Sequence, residues 1–115
     1  MLKRIALILT TCATFLAPTI TQAGLASWYG PNFHGKRTAN GEIFNQNAMT
    51  TASNSHKMGT KLLVTNVKNG KSVVVRVNDT GGFSKYGRTL DLSKAAFSKI
   101  ANPGQGVVKV KIVKL

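Results

Sequence analysis

The chain has 115 residues, enough for one domain with a modest core. Its 16 Lys and Arg stand against 3 Asp and Glu, a net charge of +13, and it holds one cysteine. This composition excludes an internal disulfide framework and a cysteine-based zinc site. It leaves Glu42, Asp79 and Asp91 as the only side chains for carboxylate chemistry.

Lys3 and Arg4 open the chain, residues 5–16 are largely apolar and uncharged, and Thr21-Gln22-Ala23 follows. That order of charge, apolar run and small residues reads as a secretory signal peptide. The run is too short for a membrane-spanning helix, which takes about 20 apolar residues. Cleavage is expected after Ala23, which divides the chain into a leader, residues 1–23, and a domain, residues 24–115. Leu9-Thr10-Thr11-Cys12 faintly resembles a lipoprotein box. Thr11 is large for that motif and the apolar run continues through Leu16, so ordinary cleavage is preferred. The domain is then expected in the periplasm or outside the cell. Export turns the basic charge away from nucleic acid and toward anionic envelope surfaces, which attract it over long range at low salt.

The first strand is expected over residues 25–29, followed by a Gly-, Asn- and Pro-rich loop over 30–41. Residues 61–67 and 72–78 read as two strands joined at Asn69-Gly70, a strong hairpin signal. Val73, Val75 and Val77 alternate with Val74, Arg76 and Asn78, the pattern of a strand with one buried face. A loop over 79–87 and a short extended segment over 89–92 come next. A helix is expected over 93–100, capped by Ser93, with Ala96, Phe97 and Ile100 turned inward. Asn102-Pro103-Gly104 stops it, and 107–113 alternates as a last strand. Many short strands with one or two short helices indicate a mainly β, small closed barrel.

Asp79 ends a strand at the mouth of a Gly-rich loop, where a rigid element aims a carboxylate at a groove. Asp91, just before the helix, reads as a cap or structural ion pair, and Glu42 as a surface residue. His34 and His56 have no metal-ligand spacing. No nucleophile-elbow motif is present. Trp28, Tyr29, Phe33, Phe44, Phe83 and Tyr86 gather in or near loops, where flat rings suit sugar faces or a core. Trp28 and Tyr29 are strand neighbours and point to opposite sides. Which of them meets substrate stays open at this level.

Several segments together, in order, resemble the RlpA (rare lipoprotein A) family: Ala26-Ser27-Trp28-Tyr29-Gly30, Phe33 through Glu42, Ala48-Met49-Thr50, Val73 through Asp79, and Asp91-Leu92-Ser93. The resemblance implies a six-stranded double-psi β-barrel with one or two short helices, related to barrels of expansins and of some lytic transglycosylases. It implies a monomer acting on peptidoglycan glycan strands, with no cofactor and no metal. The reaction would cleave between N-acetylmuramic acid and N-acetylglucosamine and leave 1,6-anhydro ends. The alternative is a non-catalytic, expansin-like wall-binding or wall-loosening module. By position Asp79 matches the family's catalytic acid and Glu42 its accompanying acidic residue. Trp28, Tyr29, Phe33, Thr38, Asn40 and Asn78 fall at substrate-binding positions. Family members with a catalytic His carry it where this chain has Ser53, and His56 lies three residues later. Thr80 and Gly82 replace an Arg and a Pro common after the Asp. A general acid in so basic a field needs its proton affinity raised, so Glu42 is expected close to Asp79 across the cleft.

Overall fold

The computed structural model describes residues 21–115. The expected leader up to residue 20, with Cys12, lies outside the described residues. Six strands, β1 (Thr21–Trp28), β2 (Thr50–Ser53), β3 (Lys61–Asn66), β4 (Ser72–Asp79), β5 (Leu90–Leu92) and β6 (Val108–Lys114), close into a barrel. Around it they run β1-β5-β2-β4-β3-β6. The β1–β5 and β2–β4 pairs are parallel and the other four antiparallel. Among the described residues one α-helix, α1 (Lys94–Ile100), and three short 3-10 turns complete the fold.

Alternation decides which side chains fill the barrel. Leu62 and Val64 of β3, Val73, Val75 and Val77 of β4, Leu90 and Leu92 of β5, and Val110 and Ile112 of β6 are all buried. Ala96, Phe97 and Ile100 of α1 join them in one cluster. Ser93 caps the helix by accepting the Ala96 N–H, as its position before an apolar run predicts. Tyr29, Phe44, Ala52 and Phe83 form a second, smaller cluster.

Three local features differ from the sequence expectation. β2 reads as polar Thr-Thr-Ala-Ser, yet every residue in it is buried. With neighbours on both sides and no exposed face, it has no alternation to detect. The β3–β4 hairpin forms, but Gly70 alone has a positive φ, so Asn69-Gly70 is part of a longer loop rather than a two-residue turn. Asn66 and Asn69 instead donate their side-chain N–H groups to the Ile100 carbonyl, tying the hairpin to the end of α1. Finally, β1 begins at Thr21. Thr21, Gln22 and Ala23 pair with Val113, Ile112 and Lys111 of β6. Beside them, Gly24 lies against Thr89 with no room for a Cβ.

Phe97 is fully buried at the junction of α1 and the barrel. Phe97→Ala is expected to lower unfolding stability by about 3–5 kcal/mol, read as a lower urea midpoint with an unchanged slope.

Candidate active site

Pairing brings four residues into one row across adjacent strands. Ser27 of β1 lies opposite Asp91 of β5, Asp91 opposite Ala52 of β2, and Ala52 opposite Asp79 of β4. Neighbouring strands are about 4.8 Å apart. Asp91 and Asp79 therefore sit roughly two strand spacings apart, with a methyl group between them. Above this row opens a groove of about 670 Å³, into which Asp79, Asp91 and Ala52 all face. Phe33 and Tyr86, both exposed, contribute rings to it, and Lys36, Arg37, Lys85 and Arg88 contribute cations.

The two carboxylates are held differently. Asp79 accepts three hydrogen bonds: from the Tyr29 hydroxyl at 2.7 Å, and from the backbone N–H groups of Ala39 and Thr80 at 2.9 Å each. Burial, and then the bond to Asp79, push the Tyr29 hydroxyl well above its ordinary range, so it stays protonated and donates. Asp91 accepts one side-chain bond, from the Ser27 hydroxyl at 3.0 Å, and Ser27 in turn accepts from Arg88 at 3.1 Å. Burial raises the Asp91 pKa, and the negative charge of Asp79 adds to this; Ser27 and Arg88 pull the other way. One carboxylate is thus locked as an acceptor, and its neighbour in the row is biased toward keeping its proton.

The groove walls are fixed from behind. The Tyr29 ring stacks on Phe44 at 4.3 Å and meets the edge of Phe33 at 5.7 Å. Asn54 clamps the 81–84 turn, donating to the Gly81 carbonyl and the Ser84 hydroxyl and accepting the Gly81 N–H.

Residues 21–112 match the family described as lytic transglycolase. The chain belongs to this family. It is 54% identical over 91 residues to the probable endolytic peptidoglycan transglycosylase RlpA of Synechocystis sp., covering 79% of this chain and 28% of that protein. It is 50% identical over 99 residues to the endolytic peptidoglycan transglycosylase RlpA of Campylobacter jejuni, covering 86% and 36%. The chain therefore spans about a third of the length of these relatives. Among solved structures, a Clavibacter michiganensis expansin in complex with cellohexaose matches with TM-score 0.65 at 25% identity, over 84% of this chain and 50% of that one. The Streptomyces papain inhibitor matches with TM-score 0.67 at 24% identity, over 85% and 97%, a likeness of fold.

Within this RlpA-like double-psi barrel the residues singled out from sequence fall into three places. Asp79, Trp28, Tyr29 and Phe33 line the groove. Trp28 also reaches the core: its indole N–H donates to the Pro103 carbonyl and its ring packs near Phe97. Tyr29 is 7% exposed, and its polar end is taken up by Asp79. Glu42, Thr38, Asn40 and Asn78 form a second polar group. There the Arg76 guanidinium grips the Glu42 carboxylate with two bonds of 2.8 and 2.9 Å, and Asn78 adds a third at 3.2 Å. Thr38 donates to Asn40, which accepts the Glu42 N–H. None of these four lines the groove, and the carboxylate that shares the groove with Asp79 is Asp91, not the expected Glu42. The Ser53 hydroxyl, buried, accepts the N–H groups of Ser55 and His56, while His56 contacts Gln22. Both lie away from the groove lining.

Asp91, Ser27, Arg88 and the small Ala52 are what sequence reasoning missed. The available signal was Leu90-Asp91-Leu92 itself: two leucines inside a barrel force the residue between them out of it.

The two perturbed carboxylates give stability opposite dependences on pH. Arg76 and Asn78 lower the Glu42 pKa from 4.5 to about 2, so its pairing stabilises fully above its ordinary value and is lost as pH falls toward 2. Asp91 favours the folded state most below its ordinary 3.8, and that advantage is lost as pH rises through its raised folded value. In Glu42→Gln the urea midpoint should therefore fall less than in wild type between about pH 5 and pH 2. In Asp91→Asn it should gain on wild type as pH rises from acid to neutral. Offsets independent of pH would contradict both assignments.

Proposed function

We propose that the groove cleaves peptidoglycan glycan strands by lytic transglycosylation. The observation that carries this reading is the row Asp91–Ala52–Asp79 on the groove floor, in a chain of the lytic transglycolase family. The reaction needs one proton delivered to the glycosidic oxygen and one removed from the C6 hydroxyl of N-acetylmuramic acid. That hydroxyl attacks its own anomeric carbon, and the bond to the N-acetylglucosamine oxygen breaks. The product is a 1,6-anhydro ring and a free 4-hydroxyl. Attack within one sugar has its positional entropy largely prepaid, and no water is consumed.

Asp91 suits the proton donor, because burial favours its neutral form. Asp79 suits the acceptor, because the Tyr29 hydroxyl and two backbone N–H groups fix its orientation. This assignment gives the base role to the residue that family position marks as the acid. Phe33 and Tyr86, exposed in the groove lining, offer rings for sugar faces. The cations along the groove suit the carboxylates that muramyl units carry. Glu42 supports the site at one remove, bracing Arg76 and Asn78 next to Asp79 in β4.

We also read the chain as exported to the periplasm or beyond and acting as a monomer. The pairing of Thr21, Gln22 and Ala23 with β6 favours a processing site before Thr21 over one after Ala23. The intact mass of the exported protein decides between them.

A second reading, a wall-binding or wall-loosening module that breaks no bond, is favoured by Ser53 at the family's histidine position and by the likeness to an expansin bound to cellohexaose. Digestion of purified glycan strands, followed by mass spectrometry of 1,6-anhydro-muramyl products, separates the two. Wild type should release them, and Asp79→Asn and Asp91→Asn should each lose about 100-fold or more. Salt-sensitive co-sedimentation with peptidoglycan and no anhydro product would establish the second reading instead.

A further inference from the structure

The side of the barrel opposite the groove carries a second surface. The groove floor is centred on β5 and β2, with Ser27 and Asp79 at the C-terminal ends of β1 and β4 at its margins, and in the closed order β3 and β6 lie across the barrel from it. Register aligns the outward residues of these four strands into rows. Val74, Leu63 and Val113 form one row. Lys61 lies opposite Arg76 on one side of it, and on the other Ser72, Thr65 and Lys111 line up, followed by Lys109 opposite Leu25. Val74 is 45% exposed, Val67 just after β3 is 47% exposed, and Lys61, Lys109 and Lys111 are exposed.

Among the described residues Lys61, Lys109 and Lys111 have no ion-pair partner, and Glu42, at the edge of this face, is taken up by Arg76. Among the described residues the only ion pair is Arg76 with Glu42. Asp79 and Asp91 face the groove on the far side. Lys61, Lys109 and Lys111 therefore stand free around a strip of aliphatic side chains. A second copy of the chain would bring lysines against lysines. A sugar polymer would find no ring to stack on, since Trp28, Tyr29, Phe33, Phe44, Phe83, Tyr86 and Phe97 all lie in the groove, its supporting cluster or the core. Ammonium groups around short aliphatic side chains match the interface of an anionic bilayer, where phosphates meet the first methylenes.

We propose that the outer face of β1, β6, β3 and β4 docks the barrel onto an anionic phospholipid surface. Docked this way, the groove points away from the lipid, toward whatever lies on the other side of the protein. The binding is independent of the glycan reading and is tested without it. Each lysine near such a surface adds roughly fivefold in affinity.

The test is co-sedimentation of the purified protein with phosphatidylglycerol-containing vesicles and with neutral phosphatidylcholine vesicles, at low and high salt. Binding is expected to the anionic vesicles only and to weaken with salt. K109E/K111E should lose about 25-fold or more, while K57E/K99E, the same charge change off this face, should lose only a few-fold. Val74→Ser should weaken what binding remains at high salt. Thermal melts of each variant verify folding, and the altered side chains are exposed, so the melts should stay close to wild type. Equal loss in the two double variants, equal binding to neutral vesicles, or binding to isolated peptidoglycan with none to anionic vesicles would overturn the proposal.

Discussion

Leu90 and Leu92 must both enter the barrel interior, and a pleated strand then leaves Asp91 pointing the other way. That steric obligation puts a carboxylate on the outside of β5, where β1 and β2 flank it on either side. β1 supplies Ser27, small enough to lie beside Asp91 and able to donate to it. β2 supplies Ala52, small enough to leave the floor open as far as Asp79. The site is thus a by-product of core packing in three strands, and its geometry is as rigid as the core. The loops add aromatic and cationic side chains to its lining, but do not set the spacing of the two carboxylates.

The arrangement also resolves the tension between a strongly basic protein and a buried acid. Arg76 is neutralised by Glu42, which removes the cation nearest to Asp79 along β4. Arg88, the cation closest in role to Asp91, reaches it through the Ser27 hydroxyl rather than by a direct ion pair. Burial can then dominate at Asp91 despite the surrounding charge. Lys36 and Lys85 line the groove, and the other lysines of the described residues lie outside its lining.

Much of the fold was legible in the sequence, and the reasons are specific. The alternating valines of β4 and the alternation of β6 carry the period of a half-buried strand, and Ser93 with Ala96, Phe97 and Ile100 carries that of a capped helix. β2 was not legible, because a strand buried on both faces and built of Thr, Ala and Ser has neither alternation nor hydrophobicity. The site followed the same division. Asp79 was singled out from its place at a strand end beside glycines, and the structure puts it in the groove lining. Glu42 was misplaced because motif adjacency says nothing about Arg76, which comes to it from another strand. Asp91 was passed over because its neighbour in sequence is a helix cap, while its neighbours in space are Ser27 and Ala52.

The strands that close the barrel are the first and the last. β1 pairs with β6 from Thr21↔Val113 to Ala26↔Val108, so the seam joins the two ends of the domain. No segment that stops short of β6 contains both sides of that seam. A growing polypeptide therefore cannot complete the barrel until β6 is available, and closure is a long-range event. The same topology that fixes the row of Asp91, Ala52 and Asp79 keeps the barrel open until β6 has been made.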